Sequence, residues 1–141
     1  MNKDFLKNKN LICFDGICSL CNNFILFVAK YDKKDCFRFI SLQNPVLEDF
    51  INEDLPNHSD SIILITNEHI KTKSDAVLSI FKELCYPFRI IFIFRFIPKF
   101  IRDYIYSNIA KNRHLLFKKI NTCSIVNKRK YKRFIKNKLI E

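Results

Sequence analysis

An α/β architecture in the order β-α-β-α-β-β-α is what this sequence predicts for its first 85 residues. Apolar runs of strand length recur at Leu11–Phe14, Cys36–Leu42 and Ser61–Thr66. The last is the most continuous of the three, the pattern of a central strand buried on both faces. Between and after these runs, residues 22–31 and 75–84 carry apolar side chains at helical spacing. A chain of 141 residues, 48% hydrophobic and with fifteen Phe, is also large and apolar enough to fold around a core. Length predicts a single domain over 1–141, with the α/β core at about 10–85 and a helical extension at about 86–141.

The first strand, Leu11–Phe14, ends at Asp15-Gly16, and a helix is expected from about Cys18 to Tyr31, closing on Lys30, Lys33 and Lys34. Gly16 is the chain's one glycine, so the capacity for positive φ is expected to be used in the turn ahead of Cys18. The second strand, Cys36–Leu42, should place Phe37, Phe39 and Ser41 on one face, and Asn44-Pro45 ends it. A short helix is expected over Val46–Asn52, followed by a polar loop through Asp60. Asn67-Glu68 turns the third strand into a hairpin with His69–Thr72. Ser74 is the expected N-cap of a helix reaching about Leu84, with Asp75 in its first turn. Beyond Pro87 the pattern is helical: Phe88–Phe96, Lys99–Lys119 and a basic helix near Lys128–Leu139. Phe92, Phe96 and Phe100, at i, i+4 and i+8, are expected to form an apolar stripe packed against the sheet.

The formal charge of +11 is concentrated at one end. Residues 1–110 carry fourteen Lys/Arg against thirteen Asp/Glu, and residues 111–141 carry eleven against one. Such a block attracts nucleic acid or anionic membrane, and a binding module of that kind is the competing functional reading. No nucleic-acid motif accompanies the charge, and a solvated helical face is the favoured reading. The first ten residues hold no apolar run of signal-peptide length. The longest apolar stretch, Leu84–Ile101, is interrupted by Arg89, Arg95, Lys99, Pro87 and Pro98. A cytoplasmic, reducing location is therefore expected, where paired cysteines serve catalysis or metal binding more often than structure.

Chemistry concentrates at Asp15-Gly16-Ile17-Cys18-Ser19-Leu20-Cys21. Two cysteines three residues apart at the start of a helix share one face. The helix start favours an anion, and a thiolate is the attacking species in disulfide exchange. Cys18 is thus the expected nucleophile and Cys21 the thiol that resolves a mixed disulfide. Asp15 either bonds to the turn amides or accepts a proton from Cys21; it does not activate Cys18, because a carboxylate disfavours a neighbouring thiolate. Zinc is not expected, since Cys13, Cys36, Cys85 and Cys123 are single and His58, His69 and His114 isolated. An aspartyl phosphotransferase is excluded because Ile17 stands where a second acid belongs.

The spacing leads to a thioredoxin-like redox module. More specifically, the chain resembles the DCC family of thiol-disulfide oxidoreductases, whose Asp-x-x-Cys-x-x-Cys motif is present as Asp15, Cys18 and Cys21. Phe14–Asn22, Phe37–Gln43, Ser74–Val77, Ile97–Pro98 through Arg102, Asp103 and Tyr106, Ala110–Arg113, Cys123 and Arg133-Phe134 are similar to successive family motifs. The resemblance implies a thioredoxin-like fold and disulfide reductase or oxidase activity with no bound cofactor. It implies as partners a protein or low-molecular-weight disulfide and a cellular dithiol electron donor. Thioredoxins place a cis-proline just before the strand facing the dithiol, whereas here Pro56 lies five residues ahead of Ser61. By analogy with glutaredoxins, Ser74 and Asp75 are candidates for substrate contact, with a helix-capping role favoured. Arg113 is a candidate to stabilise the thiolate or to pair with Asp75 or Asp103, and Cys123 a candidate extra resolving thiol.

Overall fold

The computed structural model describes residues 9–16, 18–45, 47 and 61–116, with backbone only at 113, 114 and 116. A four-stranded mixed sheet with helices forms the protein's framework. The strands are β1 (Asn10–Phe14), β2 (Phe37–Ser41), β3 (Ile63–Ile65) and β4 (Ile70–Thr72), in the spatial order β2-β1-β3-β4. β1 runs parallel to β2, with Phe14 opposite Ser41, and antiparallel to β3, which pairs antiparallel with β4. The β1–β2 crossover contains helix α1 (Ser19–Tyr31), as a parallel pair requires. α2 (Lys73–Glu83) follows β4, then a 3-10 helix (Phe88–Phe96) and α3 (Lys99–Leu116). The short helix expected over Val46–Asn52, apart from Leu47, and the basic helix near Lys128–Leu139 lie outside the described residues.

Alternation along β1 divides the core. Ile12 and Phe14 face the layer holding Ile25, Val28, Ala76 and Ile80 of α1 and α2. Leu11 and Cys13 face the other side, with Ile40, Leu47 and Ile63. β1 is buried on both faces because strands flank it and apolar layers cover it, which explains its unbroken Leu-Ile-Cys-Phe run. β3 is likewise central, with Ile63 and Leu64 each 1% exposed. An aromatic cluster then ties three elements together. Phe27 meets Phe88 at 4.9 Å and Phe81 at 6.2 Å between ring centroids, and Tyr31 meets Phe88 at 4.5 Å. Asp32, the C-cap of α1, accepts the N–H groups of Cys36 and Phe37 and so sets where β2 begins.

Four expectations need correction. Gly16 does not take positive φ; among the described residues, Asp35 (φ 56°) and Lys73 (φ 52°) are the left-handed ones. Gly16 is instead buried, with both backbone polar groups taken by side chains, so the position calls for close approach rather than an unusual φ. Ser74 is not the N-cap of α2. Thr72 holds that position without a side-chain cap, and the Ser74 hydroxyl donates to Asp103 of α3. The Phe92–Phe96–Phe100 stripe does not pack on the sheet, since Phe96 is 90% and Phe100 74% exposed. The 3-10 geometry, with three residues per turn, and the break at Ile97-Pro98 destroy the i, i+4 alignment that the stripe assumed. Finally, Cys13, Cys36 and Cys85 lie in apolar segments, which predicts core positions for all three; Cys13 is fully buried, but Cys36 and Cys85 are only half-buried.

Candidate active site

The site forms where β1 ends and α1 begins. The Cys18 N–H donates to the Asp15 carbonyl at 3.2 Å, closing the turn, and Cys18 then serves as N-cap of α1 in an extended conformation. Its carbonyl accepts the Asn22 N–H at 3.0 Å, which starts the helix. Ser, Thr, Asp or Asn commonly caps a helix with a side-chain oxygen. Here a sulfur does so: the Cys21 N–H points at Cys18 Sγ, at 3.5 Å. One of the orphan amides at the helix start is thereby aimed at the sulfur expected to attack. Cys18 and Cys21 are 4% and 7% exposed.

Asp15 is 5% exposed and belongs to the same cluster. Its Oδ1 accepts from Gln43 Nε2 at 2.8 Å, and Gln43 Oε1 in turn accepts the Gly16 N–H at 3.0 Å. The Ser41 hydroxyl donates to the same Gln43 oxygen. Asn22 completes the turn by donating Nδ2 to the Gly16 carbonyl at 3.0 Å. Gln43, Ser41 and Asn22 had not been singled out as site residues. The signal for the first two was topological: parallel strands gather their C-terminal ends, and Phe14 lies opposite Ser41, which brings residues 41–43 to residues 14–16. For Asn22, helical spacing placed it on the buried face behind the cysteines, where a polar residue has a reason to be.

An apolar cleft of about 200 Å³ opens beside Cys21, between Leu20 and Phe24 of α1, Val77 of α2, and Tyr106 and Ile109 of α3. Tyr106 also closes the start of β3, its hydroxyl oxygen accepting the Ile62 N–H at 3.1 Å. Ser74 and Asp75 join α2 to α3: Asp75 pairs with Lys99 at 2.9 Å and Arg102 at 3.0 Å. Burial pushes the Asp75 carboxyl up, but the hydrogen bonds and charges of Lys99 and Arg102 outweigh it and hold the group below its ordinary value. Cys123 and the Arg113 side chain lie outside the described residues. Away from the pair, burial alone pushes the Cys13 thiol up to about 12. Burial, followed by the charges of Asp32 and Glu83, raises that of Cys36.

A mixed α/β sheet with two thiols one helical turn apart, at the start of the helix leaving its central strand, defines a C-x-x-C dithiol domain. The particular family follows from comparison. The model of the DCC1-like thiol-disulfide oxidoreductase family matches residues 12–119, and the chain belongs to that family. It is 36% identical over 137 residues to the Bacillus subtilis (strain 168) protein named "Uncharacterized protein YuxK", covering 96% of this chain and 99% of that one. It is 34% identical over 118 residues to the Arabidopsis thaliana "DCC family protein At1g52590, chloroplastic", covering 82% of this chain and 69% of the relative. No solved structure matches the chain. The family description supports a redox role, and no helix among the described residues is long and apolar enough to cross a membrane.

Proposed function

We propose that this protein is a thioredoxin-like, single-domain thiol-disulfide oxidoreductase in which Cys18 attacks and Cys21 resolves. The observation that carries the proposal is the Cys21 N–H aimed at Cys18 Sγ, 3.5 Å away, at the start of α1. A hydrogen-bond donor and a helix terminus both favour a sulfur anion over a neutral thiol. The Cys18 thiolate attacks one sulfur of a substrate disulfide. A Cys18–substrate disulfide forms, and the departing sulfur leaves as a thiolate that takes up a proton. Cys21 then gives up its proton and attacks Cys18 Sγ, closing the Cys18–Cys21 bond and releasing the second substrate thiol. The substrate gains two electrons, which a cellular dithiol restores to the protein. Asp15, anchored by Gln43, is the proton acceptor assigned to Cys21, while Gly16 lets the turn close against Asn22 and Gln43. Ser74 and Asp75 are given a structural part, holding the α3 wall of the cleft against α2.

An exposure of 4% at Cys18 means that a substrate disulfide has to displace neighbouring side chains to approach the sulfur in line. The cleft beside Cys21 offers room for an apolar side chain flanking the substrate disulfide. A disulfide-bearing protein or peptide with such a residue fits this reading better than a purely polar small disulfide. The test is insulin reduction with dithiothreitol as donor. Wild type accelerates it, Cys18→Ser abolishes the acceleration, and Cys21→Ser accumulates a mixed disulfide visible by mass spectrometry. Equal inertness of wild type and both variants across several disulfides and donors refutes the proposal.

A further inference from the structure

The 3-10 helix contains no buried residue, and α3 continues its uncovered surface. Ile93 is 60% exposed, Phe96 90%, Phe100 74% and Tyr104 70%, the last two one turn apart on α3. Single apolar residues are common on protein surfaces, but a run of uncovered rings marks a surface with a partner. Charge identifies the partner's chemistry. Residues 1–84 carry ten Lys/Arg against twelve Asp/Glu, whereas residues 85–141 carry fifteen against two. Residues 85–116, the segment that bears the rings, themselves hold six Lys/Arg against one acid. A nucleic-acid duplex takes up such charge but offers the rings no apolar medium. An anionic bilayer takes up both, with rings entering the headgroup–acyl boundary while Lys and Arg remain at the phosphates.

A second feature adjoins this surface. A pocket of about 270 Å³ lies between α2, the 3-10 helix and α3, with Lys71, Lys82, Arg95 and Arg102 in its wall. Asp75, the one acid among its described lining residues, is already paired with Lys99 and Arg102. Lys82 Nζ and Arg95 Cζ lie 5.4 Å and 5.6 Å from the centre of the Phe92 ring. Cations thus outnumber acids in a concavity that shares its 3-10 helix with the exposed rings.

From these two features we infer that the 3-10 helix and the first turns of α3 dock on the surface of an anionic phospholipid bilayer. Phe96 and Phe100 enter the interface, and the Lys82–Arg95 pocket receives a lipid phosphate. The experiment is co-sedimentation of the full-length chain with vesicles at about 0.1 M salt. One set is phosphatidylcholine with about one third phosphatidylglycerol, and the other phosphatidylcholine alone. Wild type should pellet with the anionic vesicles and much less with the neutral ones. The double variant Phe96→Ser/Phe100→Ser changes two exposed residues, so it should keep its circular dichroism spectrum and lose at least about tenfold in partitioning. Lys82→Glu/Arg95→Glu should lose about fivefold or more for each charge on anionic vesicles only. Wild type remaining in the supernatant with both vesicle types overturns the inference, whether a second copy or residues 117–141 cover the face. Undiminished pelleting of both folded variants also overturns it, as does binding to a random-sequence DNA duplex without vesicle binding.

Discussion

Replacing Gln43 with Leu tests how the turn before Cys18 is held. The substitution removes two hydrogen bonds to the turn, Gly16 N–H to Oε1 at 3.0 Å and Nε2 to Asp15 Oδ1 at 2.8 Å, along with the exposed one that Oε1 accepts from the Ser41 hydroxyl. A neutral bond contributes about 1 kcal/mol, and one to a carboxylate about 1.5–3 kcal/mol. Gln43 is itself exposed, so water recovers part of both losses, whereas Asp15 at 5% exposure is poorly placed to be rehydrated. The expected net cost is about 2 kcal/mol, below the simple sum because the two bonds share a partner. For a domain of this size that corresponds to a urea midpoint lower by about 1 M. Gln43→Glu separates bonding from packing: it keeps the length, removes the Nε2 donor and sets a second carboxylate beside Asp15. It should destabilise at least as much as Leu at pH 7 and recover toward the Leu value under acid conditions that neutralise the pair. If both variants unfold within about 0.2 M of wild type, the side-chain bridge does not hold the turn and the reasoning fails.

With its thiol raised to about 12, Cys13 presents about one thiolate in ten thousand at pH 8. Iodoacetamide should leave it unmodified in the native protein and label it once denaturant is added, as read by peptide mass mapping; native-state labelling at the rate of an exposed thiol contradicts its burial. Because Asp75 is held below its ordinary value when folded, its contribution is complete above pH about 4 and is lost as pH falls through the lowered value. The Tm gap between wild type and Asp75→Asn should therefore be open at pH 6 and close under strong acid. A gap that is unchanged by acidification shows that the pair with Lys99 and Arg102 does not stabilise the α2–α3 contact.

Much of this architecture was readable because local pattern and tertiary role agreed. Strands β1 and β3 are apolar throughout, since both are central, and α1 buries Ile25, Val28 and Ala29 at helical spacing. The hairpin at Asn67-Glu68 followed from turn chemistry, and its Thr66 N–H donates to the His69 carbonyl at 2.9 Å. The cysteine pair was legible because both members and the helix carrying them are adjacent in sequence. Reading failed where the deciding partner was distant. Gln43 reaches Asp15 across 28 positions, and Ser74 reaches Asp103 across 29. The same holds at Phe96 and Phe100, where the pattern suggests one continuous α-helical period but the chain follows a 3-10 path to Phe96 and breaks at Ile97-Pro98 before α3. At Gly16 the deciding contacts are again distant or out of local view: its φ is not positive, and its N–H and carbonyl are bonded by the side chains of Gln43 and Asn22.

The tyrosine hydroxyl that caps the entry to β3 has an engineering consequence. Both thiols belong to the first 21 residues, yet Tyr106, Ile109 and Ala110 supply one side of the hollow next to them. A chain ending before Lys99 would lack that side of the hollow and the hydroxyl that accepts the Ile62 amide. On the function proposed above, grafting α3 from one relative onto another should retune which disulfides are chosen and leave the sulfur chemistry unchanged.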